Sequence, residues 1–311
     1  MQDNREITNE EVQKASEIIN NLLSYYNSKV VGQPYLGYSL LVAMMTNGHV
    51  LLESVPGLAK TTAARVMTEA VNGSFSRIQC TPDLIPSDII GTQMYNMATN
   101  TFEDKIGPVY SNFVLLDEIN RSSAKTQSAM LEAMQEREVS IGGKTYKLPE
   151  VFVVIATQNP IESEGTYVLS EAQLDRFLMK INMGYPKKDD EVLILNRFLK
   201  EDPSKGLSTV ATCEDIAVMK EEAKNVYVHP VLIDYIVELA RMTRQQDNVS
   251  IGVSPRGTLG MLNAARAYAY VAGRDYVVPE DIKILAPVVW AHRIVSVSYT
   301  HLRAHETTLH L

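Results

Sequence analysis

Residues 48–62, GHVLLESVPGLAKTT, decide how this chain reads. His49-Val-Leu-Leu is a short apolar run of the kind that forms a strand buried on both faces. A helical stretch, Ala63 to Val71, follows Lys60-Thr61-Thr62. Between them lie Ser54, Val55, Pro56, Gly57, Leu58 and Ala59, so that a strand, a tight loop and a helix N-terminus occur in succession. In that arrangement backbone N–H groups and the helix end hold a phosphate. Lys60 is placed to meet the β and γ phosphates, and the Thr61 hydroxyl to ligate Mg²⁺. The pattern G-x-x-x-x-G-K-[ST] is met except at its two glycines, where Ser54 and Ala59 stand. A side chain at Ser54 crowds the loop or strains its turn. A plain strand, turn and helix without ligand is the alternative.

Working outward, Phe113-Val-Leu-Leu-Asp117-Glu118 is an apolar strand ending in two carboxylates. With a phosphate loop on the same sheet, Asp117 is placed to hold the metal shell and Glu118 to polarise an attacking water. A third apolar run, Val151 to Ala156, leads into Thr157-Gln-Asn159-Pro160. The Asn159 amide is either a sensor of the γ phosphate or part of an Asn-Pro turn. Phe75 to Cys80 and Leu178 to Asn182 complete five strand candidates. Strands apolar on both faces, alternating with helices, predict an α/β core whose parallel five-stranded sheet is flanked by helices.

Two stretches read as hairpins or as ordinary surface loops: residues 92–110, with a turn at Ala98 to Asn100, and residues 139–148, turning at Gly142-Gly143. Thr8 to Glu11 forms a capping box that opens a first helix. Beyond Tyr185-Pro186 the periodicity is helical, with Pro279 at the start of one helix. The division is therefore a nucleotide-binding core over residues 1–186 and a small all-α domain over 187–296. From Val297 the sequence, VSYTHLRAHETTLHL, loses apolar period and resembles a reading frame of a sequencing-library transposase adapter, so residues 297–311 are read as a non-native tail.

The composition is globular, with 45% apolar and 21% charged residues over 311 positions. Twenty-nine Lys and Arg against 37 Asp and Glu give −8, the wrong sign for a surface that tracks nucleic acid or an anionic bilayer. Cys80 and Cys213 are too few for a disulfide framework and too separated for a metal knuckle. No apolar run is long enough to cross a membrane, and a cytoplasmic address is the default.

With these motifs in order, the chain resembles the MoxR-type AAA+ ATPases. The residues carrying the resemblance include VVGQ (30–33), GHVLLESVPGLAKT (48–61), LLDEINRSSAKTQSAMLEAMQERE (115–138), VIATQNPIESEGTY (154–167), LSEAQLDRF (169–177), GVSPRGTL (252–259) and GRDYVVPEDI (273–282). The resemblance implies an AAA+ core followed by a helical lid, ATP and Mg²⁺ as cofactors, and a homo-oligomeric ring, usually hexameric. It implies that Arg176 is the arginine finger reaching a neighbour's γ phosphate, and that Arg256 is a lid arginine touching the phosphates from the second domain. Val31 is implied to line the adenine pocket, alongside the 54–62 loop. The implied work is chaperone-like remodelling or maturation of a client, such as metal or cofactor insertion, with von Willebrand factor A domain proteins as partners. A nucleic-acid-stimulated motor and a slow-turnover ATP-binding scaffold are the other readings. Few cations lie on the hairpins, only Lys105, Lys144 and Lys147, which disfavours the first of these.

Overall fold

The fold, taken from a computed structural model, is described for residues 9–54, 57–159, 167–199 and 206–297. Thr8, Val55, Pro56 and residues 298–311 of the tail lie outside these.

Five parallel strands form the central sheet: β1 Val50–Ser54, β2 Phe75–Gln79, β3 Phe113–Asp117, β4 Val153–Gln158 and β5 Met179–Met183. Their spatial order is β2-β3-β4-β1-β5. Val50 pairs with Ile155 and Met179, and Leu115 with Arg77 and Ile155, so every strand runs the same way. One edge of the sheet therefore carries all strand starts and the opposite edge all strand ends. In such a sheet ligands bind outside the strand ends.

Side chains alternate between two cores. Val50, Leu52, Phe113, Leu115, Val153 and Ile155 face one layer of helices, while Leu51, Val114, Leu116, Val154 and Ala156 face the other. This is why the strands read as unbroken apolar runs. The first layer includes the helices Asn9–Lys29, Pro34–Thr46 and Lys60–Ala70. It is continuous with the later helices Cys213–Ala223, Pro255–Val271 and Pro279–Trp290, through residues such as Met219, Ala264 and Trp290. The second domain thus shares a core with the first.

Both hairpins form. Gly91–Asn96 pairs with Thr101–Ile106, and Glu138–Ile141 pairs with Lys144–Lys147 around Gly142-Gly143. They dock on one another at Asp104, which accepts from Tyr146 Oη at 2.5 Å and Gln93 Nε2 at 2.9 Å and pairs with Lys144. The domain expected to be purely helical also contains a small antiparallel pair, Val249–Ile251 with Val295–Ser296. These strands are too short to show a two-residue period in sequence.

Candidate active site

At the strand-end edge, β1 runs into the loop at Ser54, and the helix Lys60–Ala70 leaves it. Gly57 has φ +86°, and no neighbouring atom approaches the place a Cβ would occupy. Ala59, the helix N-cap, is left-handed at φ 53°. This conformation suits glycine, which is why glycine was expected there, and alanine holds it at some strain. No side chain caps this helix, and its first turn has no acidic residue. Its opening N–H groups, with Lys60, Thr61 and Thr62 beside them half exposed, therefore form a donor set that fits an oxyanion. Ser54 is buried, and its Oγ has no hydrogen-bond partner among the described residues. Val31 is half-buried in the loop before Pro34–Thr46, next to Gly32, where a Cβ would come within 3.2 Å of Asp190 Oδ2.

The carboxylate pair at the end of β3 is fixed by a residue the sequence reading passed over. Thr157 of β4, fully buried, donates through Oγ1 to Asp117 Oδ1 at 2.8 Å and accepts from the Glu118 N–H at 2.9 Å. One hydroxyl thereby ties the Asp117 carboxylate to the backbone of Glu118. Glu118 is left-handed at φ 58°, which breaks the strand and turns its side chain out of the sheet. From β2, Arg77 Nη2 pairs with Asp117 Oδ2 at 2.5 Å, and Gln79 Nε2 donates to Glu118 Oε2 at 3.2 Å. Arg121 also reaches Glu118 Oε2, at 3.1 Å. Arg77 and Gln79 were legible as two polar residues spaced by two in FSRIQC, on one face of a strand beside β3. Asn159 is buried one residue beyond the Glu53–Gln158 register pair, so it lies at the same edge. Cys80 is buried nearby, and burial, aided by Asp117 and Glu118, pushes its thiol up to about 12, so it stays protonated at neutral pH.

The two arginines lie at the other edge. Arg176 immediately precedes β5, and Arg256 opens the helix Pro255–Val271. Both donate to Gln135 Oε1, at 3.2 and 3.4 Å. Gln135 is in the last turn of the helix Ala124–Glu136, and the carbonyl of Met134 beside it bonds His49 Nε2 at 3.1 Å. His49 immediately precedes β1, and its carbonyl accepts from Leu178 N–H at 2.9 Å. All these groups sit where the strands start. Four register steps, about 13 Å at ~3.3 Å each, separate that edge from Ser54. The resemblance implies that Arg256 touches the phosphates from the second domain. The helix carrying it packs against Leu178, at the strand starts, rather than over the phosphate loop.

Fold, phosphate loop and carboxylate pair define the class: an AAA+ ATPase with a P-loop core. A family model described as "ATPase family associated with various cellular activities (AAA)" matches residues 49–179, and an AAA lid domain model matches 241–308. The chain is 48% identical over 275 residues to Chaperone MoxR1 of Mycobacterium tuberculosis, covering 86% of this chain and 72% of that one. It is 46% identical to the uncharacterized protein YeaC of Bacillus subtilis, covering 89% and 87%. A crystal structure from Cytophaga hutchinsonii superposes with a TM-score of 0.88 at 40% identity, over 94% of this chain and 92% of that one. The chain belongs to the MoxR-type AAA+ ATPases.

Proposed function

We propose that the chain acts as a homo-oligomeric ring, hexameric in this reading, in which each ATP site is built by two copies. The observation supporting this is the separation of the loop and carboxylates from Arg176 and Arg256 at opposite edges of one sheet. One copy supplies the phosphate loop, Asp117, Glu118 and Asn159. The next supplies the two arginines, which stabilise charge spreading over the transferred phosphoryl group.

Within the loop, the N–H groups of residues 57–62 and Lys60 hold the phosphates. Thr61 and Asp117 are the residues to hold Mg²⁺, which would neutralise charge between the β and γ phosphates. Glu118, oriented through Thr157, takes the proton from the attacking water, and Asn159 orients that water or the γ phosphate. Arg77 must yield at least part of Asp117 when the metal binds.

The ring remodels or matures a protein client. Support comes from the relative named a chaperone and from the first hairpin, which exposes Met94, Tyr95, Met97 and Phe102, an apolar tip suited to protein rather than to phosphate backbone. Metal or cofactor insertion into a von Willebrand factor A domain partner is the specific form of this reading. Among the described residues no helix is long and apolar enough to cross a membrane, and we place the work in the cytoplasm. We retain the division at residues 186 and 296, although the lid match, running to 308, weighs against the second boundary. The test is Glu118→Gln, assayed for ATP hydrolysis, retained ATP and particle mass. Loss of turnover with trapped ATP and a stable ring is expected; unchanged rate and mass would refute the assignment.

A further inference from the structure

Arg293 lies outside every motif that pointed to ATP, yet its guanidinium ties together the two segments that carry the arginines. Its side chain is only 3% exposed. Nε donates to Asp175 Oδ1 at 2.7 Å, and Nη2 to the carbonyls of Phe177 at 2.7 Å and Asp175 at 3.1 Å. Nη1 donates to the Leu178 carbonyl at 3.2 Å, to His292 Nε2 at 2.9 Å and to the Val289 carbonyl. The segment 175–178, which contains Arg176, is thus held by one planar cation at Asp175, Phe177 and Leu178.

The same cation seats the other arginine. A Cβ at Gly257, the residue after Arg256, would meet Arg293 Cδ at 2.8 Å, so the helix start lies directly on the Arg293 side chain. Asp175 completes the junction by accepting from Ser254 Oγ, the N-cap of that helix, at 3.0 Å. Trp290 Nε1 bonds the Gly257 carbonyl at 2.9 Å from the other side.

We infer that Arg293 is a positioning residue for catalysis in the neighbouring copy: it sets Arg176 and Arg256 relative to one another so that both meet the same phosphate. The inference rests on the two-copy site proposed above. Among the described residues Arg293 touches no part of its own phosphate loop, so its replacement should leave nucleotide binding by its own chain alone. Lysine keeps the charge but cannot span Asp175, Phe177 and Leu178 together.

The test uses rings assembled from one variant or from two. Arg293→Lys rings should lose about tenfold or more in kcat, with KM for ATP within about twofold. Lys60→Ala rings should be inactive. Mixed rings of Arg293→Lys and Lys60→Ala should regain activity, because an intact loop in the first variant meets intact arginines in the second. Arg176→Ala mixed with Lys60→Ala is the control for the two-copy site. If the control recovers and the Arg293→Lys mixture does not, or if Arg293→Lys alone keeps full kcat, the inference about Arg293 is overturned. If the control itself fails to recover, the two-copy site fails, and the inference with it. Should Arg293→Lys not fold, Asp175→Asn, which spares the bonds to Phe177 and Leu178, carries the same expectations.

Discussion

Arg176 and Arg256, one from the core and one from the lid, donate to the same carboxamide oxygen of Gln135. Two guanidinium groups converging on one neutral acceptor, with no carboxylate paired to either among the described residues, leave a local excess of positive charge at the strand-start edge. That is the complement of a polyphosphate on an adjoining molecule.

Thr157 is the joint between the two acids, and Thr157→Val keeps its volume while removing the hydroxyl. Turnover should fall about 10- to 100-fold, since both Asp117 and the Glu118 backbone lose their shared partner. Stability should fall by about 1–2 kcal/mol, because the buried Glu118 N–H is left without an acceptor. ATPase kinetics and denaturant unfolding of the same variant check both.

Arg77 pairs at 2.5 Å with Asp117, the acid proposed to hold Mg²⁺. Arg77→Gln should therefore tighten the apparent Mg²⁺ requirement by about three- to tenfold, a modest effect because the arginine is half exposed. A magnesium titration of ATPase rate at fixed ATP reads it; an unchanged midpoint would show that the pair opens at no cost.

Ser54 buries a hydroxyl with no partner among the described residues. Ser54→Ala should raise stability by about 1 kcal/mol by removing an unsatisfied group. If that hydroxyl also crowds the loop, kcat should rise with it, and side-by-side melting and turnover curves separate the two effects.

His49 is fully buried, with Nδ1 accepting from the Val154 N–H and Nε2 donating to the Met134 carbonyl, which fixes the neutral ring. Burial lowers its pKa from 6.5 to about 4. The folded state resists protonation that the unfolded chain accepts below pH 6.5. The stability contributed by the neutral ring is thus present above pH 6.5 and is lost as pH falls towards 4, by up to roughly 3 kcal/mol. Burial lowers His292 in the same sense, to about 3. Unfolding midpoints between pH 7 and 4 should show this slope, and His49→Gln should reduce it, leaving the part due to His292.

The sheet and the phosphate loop were legible because their signals are local: apolar runs, a Lys-Thr at a helix start, acids at a strand end. The partners of those acids were less so, since Thr157, Arg77 and Gln79 reach Asp117 and Glu118 only through strand order β2-β3-β4, which no local pattern specifies. The place of Arg256 in the fold was not legible for the same reason. Its SPRG context marks a helix start, but which edge of the sheet that helix meets depends on Arg293, Asp175 and Leu178 packing against it.

The central claim is that each ATP is served by the arginines of the next copy, including the lid arginine. The most direct measurement is the ATPase rate of rings mixed from Arg256→Ala and Lys60→Ala subunits, each inactive or nearly so alone. Recovery of activity on mixing is the predicted result. No recovery, in preparations where Arg176→Ala mixed with Lys60→Ala does recover, would place Arg256 in its own subunit's site and contradict the account.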